Sequence, residues 1–275
     1  MLSFFSPAKI NFFFHVIGKR FDGYHEIVSL LHTVSFGDYL HFFPSQIDHF
    51  TIKGNSQVPL DNTNLVLQAL QLFRNKTGWT QPLTIYLQKN IPIGSGLGGG
   101  SSNAATTLWA LNVLSRLGIS NEELQKWSAH LGSAIPFFFS RGCAVCRGRG
   151  ELVEDQPPIK EKKMYLILND EPINTQNVFS RVFPSTERID VDRLIANTLE
   201  KKYPCLNELE KAAFHVYPSL FTRKREISSH FIGSVFMTGS GGSFVVIGRH
   251  IKEVSFPYSM IQVECMNRCK NKWYQ

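Results

Sequence analysis

Residues 91–114 read IPIGSGLGGGSSNAATTLWALNVL, and few folds accommodate such a run. Apart from Leu97, every residue from Gly94 to Ser102 is Gly or Ser, and none carries a charge. Leu83–Leu87 ahead of it reads as a strand. Behind it, Ala104, Leu108, Leu111 and Leu114 recur at helical spacing, with Gly118 as the expected stop. Strand, glycine loop and helix together make an anion-binding layout. The first amides of a helix have no internal acceptor, and the helix dipole favours negative charge there. Glycines let the backbone close on a phosphate with no Cβ in the way. A charged ligand would be held by main-chain N–H groups.

Three known loop chemistries compete for this run. A Walker-type loop needs Gly-Lys-Ser/Thr, and Gly100 is followed by Ser101 with no lysine. Gly94-x-Gly96-x-x-Gly99 has the spacing of the dinucleotide fingerprint, which also wants an acid at the end of the next strand. The acids at that distance, Glu122 and Glu123, belong instead to a Ser120-Asn-Glu-Glu capping box. A protein-kinase loop turns back into a strand and opens no helix.

The remaining chain reads as α+β. Strands are expected over Ala8–Ile17, Glu26–Phe36 and Tyr39–Phe43, with a turn at Gly37-Asp38. A helix is expected over Asn64–Lys76, another from Ser120 to Gly132, a buried apolar stretch at Phe137–Phe139, and a strand over Gly142–Arg147. Pro157-Pro158 and the charged residues 160–163 mark a boundary between domains 1–157 and 158–275. Beyond it a strand (Met164–Leu168), helices near Val191–Glu200 and Leu206–Tyr217, and a strand pair flanking Thr238–Gly242 are expected.

Composition narrows the function classes. With 275 residues, 43% hydrophobic and 19% charged, the chain can bury a proper core. Its net charge of +7 suits an anionic ligand. The basic tracts 160–163 and 223–225 are short, read as solvated, and make no nucleic-acid stripe. Five cysteines, an odd number with no secretion signal, point to a reducing, cytoplasmic compartment. Cys143-x-x-Cys146 and Cys265-x-x-x-Cys269 lie far apart, the first within an expected buried strand, so no metal site is read from them. The apolar N-terminus lacks a basic n-region and is interrupted by Lys9 and Asn11, and no stretch has the ~18 apolar residues of a membrane span.

Pro92–Ala105 resembles the ATP loop of the GHMP kinases. SPAKINFFFHVIGKRFDGYHEI (Ser6–Ile27) resembles that family's first motif, and MTGSGGSFVVI (Met237–Ile247) its third. The three occur in family order and span nearly the whole chain. The resemblance implies an N-terminal domain like domain 2 of ribosomal protein S5, followed by a ferredoxin-like domain. It implies an ATP-dependent small-molecule kinase that uses Mg²⁺. PAKIN followed by DGYHEI is similar to the branch that phosphorylates a tertiary hydroxyl of a cytidine diphosphate sugar-alcohol on the methylerythritol phosphate route to isoprenoids. A nucleotide-binding protein without chemistry, and a mevalonate- or homoserine-type kinase, stay open as alternatives.

The resemblance also implies site residues. Lys9 matches the active-site lysine, where a cation stabilises charge on the transferred phosphoryl group. Asn11, two residues along the strand, shares its face and matches a substrate-binding position. Tyr24 and His25 match a cytidine-recognising pair, and Thr175 and Phe179 a segment closing over the same nucleotide. Gly239, Ser240 and Gly241 form the second glycine turn, on the substrate side. Asn64, Leu65 and Lys89 match positions near the adenine. Pro92, Gly94, Ser95, Gly96, Leu97, Gly98, Gly99, Gly100, Ser101, Ser102 and Asn103 are expected around the triphosphate, with a serine hydroxyl helping to hold Mg²⁺. One position departs from the family. Its members carry an Asp, the proposed general base, in Leu-Gly-(Ala/Ser)-Asp-(Val/Ile)-Pro, and this chain has Ala134. Loss of a positioned base costs roughly 10²–10⁴ in rate. The chain is then either an inactivated variant or a divergent member.

Overall fold

The computed structural model describes residues 1–54, 57–161, 163–169, 171–183, 189–251 and 256–275; Lys162 of the first basic tract lies outside them. The chain opens with two long strands, β1 (Leu2–Lys19) and β2 (His25–Pro44), joined by the tight turn at Asp22-Gly23 and paired antiparallel. Next come β3 (His49–Gly54), α1 (Leu65–Thr77), β4 (Leu83–Lys89), α2 (Gly99–Ser115) and α3 (Asn121–Ser128). A 3₁₀ turn at Pro136–Phe139 leads to β5 (Cys143–Gly148) and β6 (Leu152–Asp155). The second half holds β7 (Met164–Ile167), α4 (Thr175–Phe179), α5 (Val191–Leu199), α6 (Leu209–Val216), α7 (Pro218–His230), β8 (Phe231–Met237), β9 (Phe244–His250) and β10 (Met260–Val263).

Two sheets result. In the first, β1 lies along one edge of β2; β4 pairs with Tyr39–Pro44 of β2 and β5 with Ile27–His32. β3 joins β4 in parallel, and β6 joins β5. The second sheet is antiparallel in the order β10-β7-β9-β8. One apolar core packs α1, α2 and α3 onto the first sheet through residues such as Leu40, Phe42, Phe73, Leu108 and Leu111. A second lies where the sheets meet, joining Ala8, Ile10 and Phe12 to Leu166, Phe236 and Val245. Each of the buried Val, Leu, Ile and Phe side chains among them contributes roughly 1.5–3 kcal/mol. The tail returns to the first half, where Trp273 stacks on Trp109 at 5.2 Å.

Local chemistry explains most elements. Asn64 caps α1 by accepting the Val66 amide at 2.9 Å, and Gly78 closes it in the left-handed region. Ser120 caps α3 through the Glu123 amide, while the Glu123 carboxylate takes the Trp127 indole N–H instead of closing the capping box. Three sequence expectations need correction. Gly37-Asp38 is not a turn, because β2 runs straight through it. The register with β1 slips between Pro7 and Ala8, leaving Ser35 and Phe36 as extra residues in a bulge. Nor does Gly118 end α2; the helix stops at Ser115, with Arg116 in the left-handed region at φ 56°. Finally, residues 223–225 are not a free solvated tract, since they lie in α7, where Lys224 pairs with Glu210 at 2.7 Å and Arg223 bonds Asn169.

Candidate active site

A cavity of about 480 Å³ opens at the N-terminus of α2 and runs between the two sheets' loops. Its wall at one end is the glycine loop. Gly98 caps α2 in the left-handed region with no side-chain cap, and the first intrahelical bond is Ser102 N–H to Gly98 C=O at 2.9 Å. The amides of Gly99, Gly100 and Ser101 therefore lack intrahelical acceptors and add to the positive end of the helix dipole. From the sequence, a phosphate is expected at this position. The loop is braced from the second half of the chain. Ile173 N–H donates to Gly94 C=O at 3.1 Å, and Ser243 N–H to Ser95 C=O at 3.1 Å. Gly96, at φ 77°, approaches Thr238 so closely that a Cβ would strike its carbonyl.

Lys9 threads beneath this loop. Its aliphatic chain passes Gly98, and its Nζ donates to Gly96 C=O at 2.6 Å and to Asn11 Oδ1 at 2.5 Å. Strand alternation puts Lys9 and Asn11 on one face, and the rest of the network holds Asn11 still. Its Nδ2 donates to Ser29 Oγ at 2.8 Å, its amide to Thr238 Oγ1 at 3.0 Å, and Ser29 Oγ to Phe13 C=O at 2.5 Å. Burial lowers the Lys9 ammonium from its ordinary value to about 7, against a smaller opposing effect of Cys146. Burial likewise pushes the Cys146 thiol up to about 12, which leaves it protonated and unreactive. Among the described residues no carboxylate lines the cavity, and Ala134 presents a methyl group to it.

A second charged centre, not read from the sequence, sets the loop's approach. Asp38 is fully buried. It pairs with Lys89, accepts the amides of Asn90 and Ile91 at 2.7 and 2.8 Å, and accepts Asn103 Nδ2 at 2.9 Å. Lys89 thus lines the cavity as a partner of Asp38 and not as a free surface cation. The only available signal was a charged residue after Gly37, which reads equally well as a turn.

The other anticipated residues divide into two groups. Asn11, Asn64, Leu65, Pro92, Gly94, Ser95, Gly96, Gly98, Gly99, Gly100, Ser101, Asn103, Thr175, Phe179, Gly239 and Ser240 line the cavity with Lys9, Lys89 and Ala134. Leu97 and Ser102 lie behind the wall: Leu97 is in the core, and Ser102 Oγ accepts from Ser6 Oγ at 2.8 Å. Gly241 packs against Met237. His25 is buried with its ring 5.4 Å from Phe179, and burial first, then Lys19, lowers its pKa, so it is neutral at pH 7 with one donor and one acceptor nitrogen. Thr175 and Ser240 share a hydrogen bond of 2.8 Å across the far rim. Tyr24 is half exposed beside Arg149, which the sequence reading missed and which lines the cavity.

The family model of the GHMP kinases N terminal domain matches residues 64–140, the stretch carrying the glycine loop and Ala134. The 4-diphosphocytidyl-2-C-methyl-D-erythritol kinase of Protochlamydia amoebophila is 43% identical over 271 residues, covering 98% of this chain and 92% of that protein. The chain belongs to the 4-diphosphocytidyl-2-C-methyl-D-erythritol kinases. The chloroplastic member from Mentha piperita is 41% identical over 99% of this chain and 72% of its own length. A crystal structure of 4-(cytidine 5'-diphospho)-2C-methyl-D-erythritol kinase superposes with a TM-score of 0.76 at 29% identity, covering 90% of each chain. A mevalonate kinase crystal structure, 13% identical over 98% of this chain and 100% of its own, superposes with a TM-score of 0.67 and shows the shared GHMP fold alone. This kinase is therefore an α+β GHMP-fold enzyme of the ATP-dependent class, and among its described residues no helix is long and apolar enough to cross a membrane.

Proposed function

We propose that the chain transfers the γ-phosphate of ATP to the tertiary 2-hydroxyl of 4-diphosphocytidyl-2-C-methyl-D-erythritol, with turnover limited by Ala134. One observation carries the reading: a single cavity is lined by the first residues of α2 (Gly99, Gly100 and Ser101), by Lys9, Asn11 and Ala134, and by Phe179. The Gly99–Ser101 amides hold the polyphosphate. Lys9 Nζ, already donating to Asn11 and Gly96, has its remaining valence for the γ-phosphoryl oxygens or the attacking hydroxyl. Asn11 fixes Lys9 and offers the acceptor alcohol a partner. Neutral His25 and the ring of Phe179 suit the edge and face of a pyrimidine. Mg²⁺ would neutralise charge on the phosphates, and Ser101 Oγ, on the cavity wall, is the side-chain oxygen that would hold it.

In the transfer the hydroxyl oxygen bonds the γ-phosphorus, the bond from the γ-phosphorus to the oxygen bridging it to the β-phosphate breaks to release ADP, and in this chain the hydroxyl proton passes to solvent water. A carboxylate at position 134 would accept that proton, which a methyl group cannot do. Turnover survives because the transition state is loose and the proton leaves late, so positioning and charge supply much of the catalysis. Ala134→Asp is expected to raise ATP-dependent phosphorylation of the cytidylyl substrate at least about tenfold. No gain on that substitution refutes Asp-type base catalysis here.

The methyl at position 134 also favours a second reading, a nucleotide-binding protein without turnover. Calorimetry showing that both ligands bind, with Ala134→Asp still inert, would select it. Competition by CMP separates the cytidylyl kinase from a mevalonate- or homoserine-type enzyme. A cytoplasmic location belongs to the proposal on the strength of five cysteines, all free.

A further inference from the structure

The substrate proposed above carries two anionic phosphates between its nucleoside and its acceptor alcohol, and they need a counter-charge. Among the described residues, the cations on the cavity wall are Lys9, Lys89 and Arg149. Lys89 is committed to Asp38, and Lys9 sits beneath the glycine loop at the transfer end. Arg149 stands on the turn joining β5 to β6, which is shaped by Gly148 at φ 71° and Gly150 at φ 116°. The Arg149 amide donates to Glu151 Oε2 at 2.6 Å and locks that turn. Its Nε lies 3.8 Å from Glu151 Oε1, too far for a hydrogen bond. Asp22 also faces it, but that carboxylate is bonded to Arg20 Nε at 3.1 Å. Among the described residues no acceptor binds the two terminal nitrogens of Arg149.

The guanidinium carbon lies 4.8 Å from the centroid of the Tyr24 ring. The contact over the ring restrains the guanidinium, whose planar fork of N–H donors is thereby held at the cavity wall. A guanidinium fork matches two phosphate oxygens where an ammonium would meet one. The same contact ties the fork to Tyr24, the residue next to His25. We propose that Arg149 is the clamp for the bridging diphosphate of the substrate, and that its stacking on Tyr24 couples recognition of the phosphates to recognition of the base. This inference rests on the cytidylyl-kinase reading of the cavity.

The test measures binding of cytidine and of CDP to the unaltered chain, Arg149→Ala and Arg149→Lys. Arg149→Ala is expected to weaken CDP about 10- to 100-fold, the loss of hydrogen bonds to a charged group, and cytidine by no more than about threefold. Arg149→Lys should recover part of the CDP affinity, since it keeps the charge and loses the fork. With the full substrate, KM should rise in Arg149→Ala while kcat stays within about threefold. Unchanged CDP binding overturns the clamp. Equal weakening of cytidine and CDP overturns it as well, because Arg149 would then only prop Tyr24. If the unaltered chain binds no CDP, the functional reading falls and the clamp with it; normal CDP binding that is indifferent to residue 149 removes the clamp alone.

Discussion

Lys9→Met makes a quantitative test of how the site is built. Burial holds the Lys9 ammonium at about 7 in the native state, against 10.5 in an unfolded chain. Keeping it charged in the fold therefore costs about 5 kcal/mol. Below pH 7 both states hold the proton and the whole cost is present. Between pH 7 and 10.5 the unfolded chain binds a proton that the native chain does not, so stability rises with pH; above that window the cost has gone. From pH 6 to pH 9 the gain amounts to about 3 kcal/mol. Methionine is of similar length and does not titrate. It leaves Gly96 C=O without its lysine donor, while Asn11 Oδ1 keeps Thr238 Oγ1 at 3.2 Å, an offset of about 1–3 kcal/mol that does not depend on pH. Cys146, pushed up to about 12 in the fold, begins to ionise near pH 9 only in the unfolded chain; the small loss of stability this brings is shared by both proteins and cancels in their difference. Urea unfolding of both proteins at pH 6, 7.5 and 9 gives the difference free of other titrations. It should move in favour of the lysine chain by about 3 kcal/mol over that range. A difference flat to within about 0.5 kcal/mol, or one sloping the other way, refutes the desolvated lysine and with it the idea that Lys9 meets ATP largely as a neutral amine at pH 8.

The same lysine should take up a proton when ATP binds, because the triphosphate restores the ammonium; calorimetry at pH 8 in two buffers of different ionisation enthalpy should show close to one proton, and no uptake would remove the contact between Lys9 and the γ-phosphate. Asp38→Asn strands the buried Lys89 charge and should cost about 3–5 kcal/mol in urea unfolding, most of it recovered in the double variant with Lys89→Met; a loss below about 1 kcal/mol would show that the pair does not organise the loop. Gly96→Ala forces a Cβ against the Thr238 carbonyl at φ 77° and should lower stability by more than about 2 kcal/mol and ATP affinity at least tenfold. Gly100→Ala, where the Cβ meets only Leu65 Cδ1 at 3.5 Å, should leave stability within about 1 kcal/mol, and equal losses at both positions would refute the steric account.

What the sequence determines alone is what depends on neighbours along the chain. A run of glycines between an alternating strand and an apolar-periodic helix has one local solution, and the open amides of Gly99, Gly100 and Ser101 follow from it. The caps at Asn64 and Ser120 are legible for the same reason, since donor and acceptor lie two or three residues apart. The pairing of Lys9 with Asn11 follows from strand alternation. Tertiary structure decides the rest. Gly37-Asp38 carries turn residues, yet β1 holds it extended through a bulge, and Asp38 then meets Lys89, 51 residues away. Ser101 and Ser102 are equivalent as letters; one faces the cavity and the other turns to Ser6, because successive residues of a helix point about 100° apart and only the packing of α2 on β1 says which way is in. Arg149 carries no signal of its own until the β5–β6 turn brings it to Tyr24, 125 residues earlier. A buried charge or a stacked cation takes its meaning from partners far off in the chain, and local propensity holds no record of them.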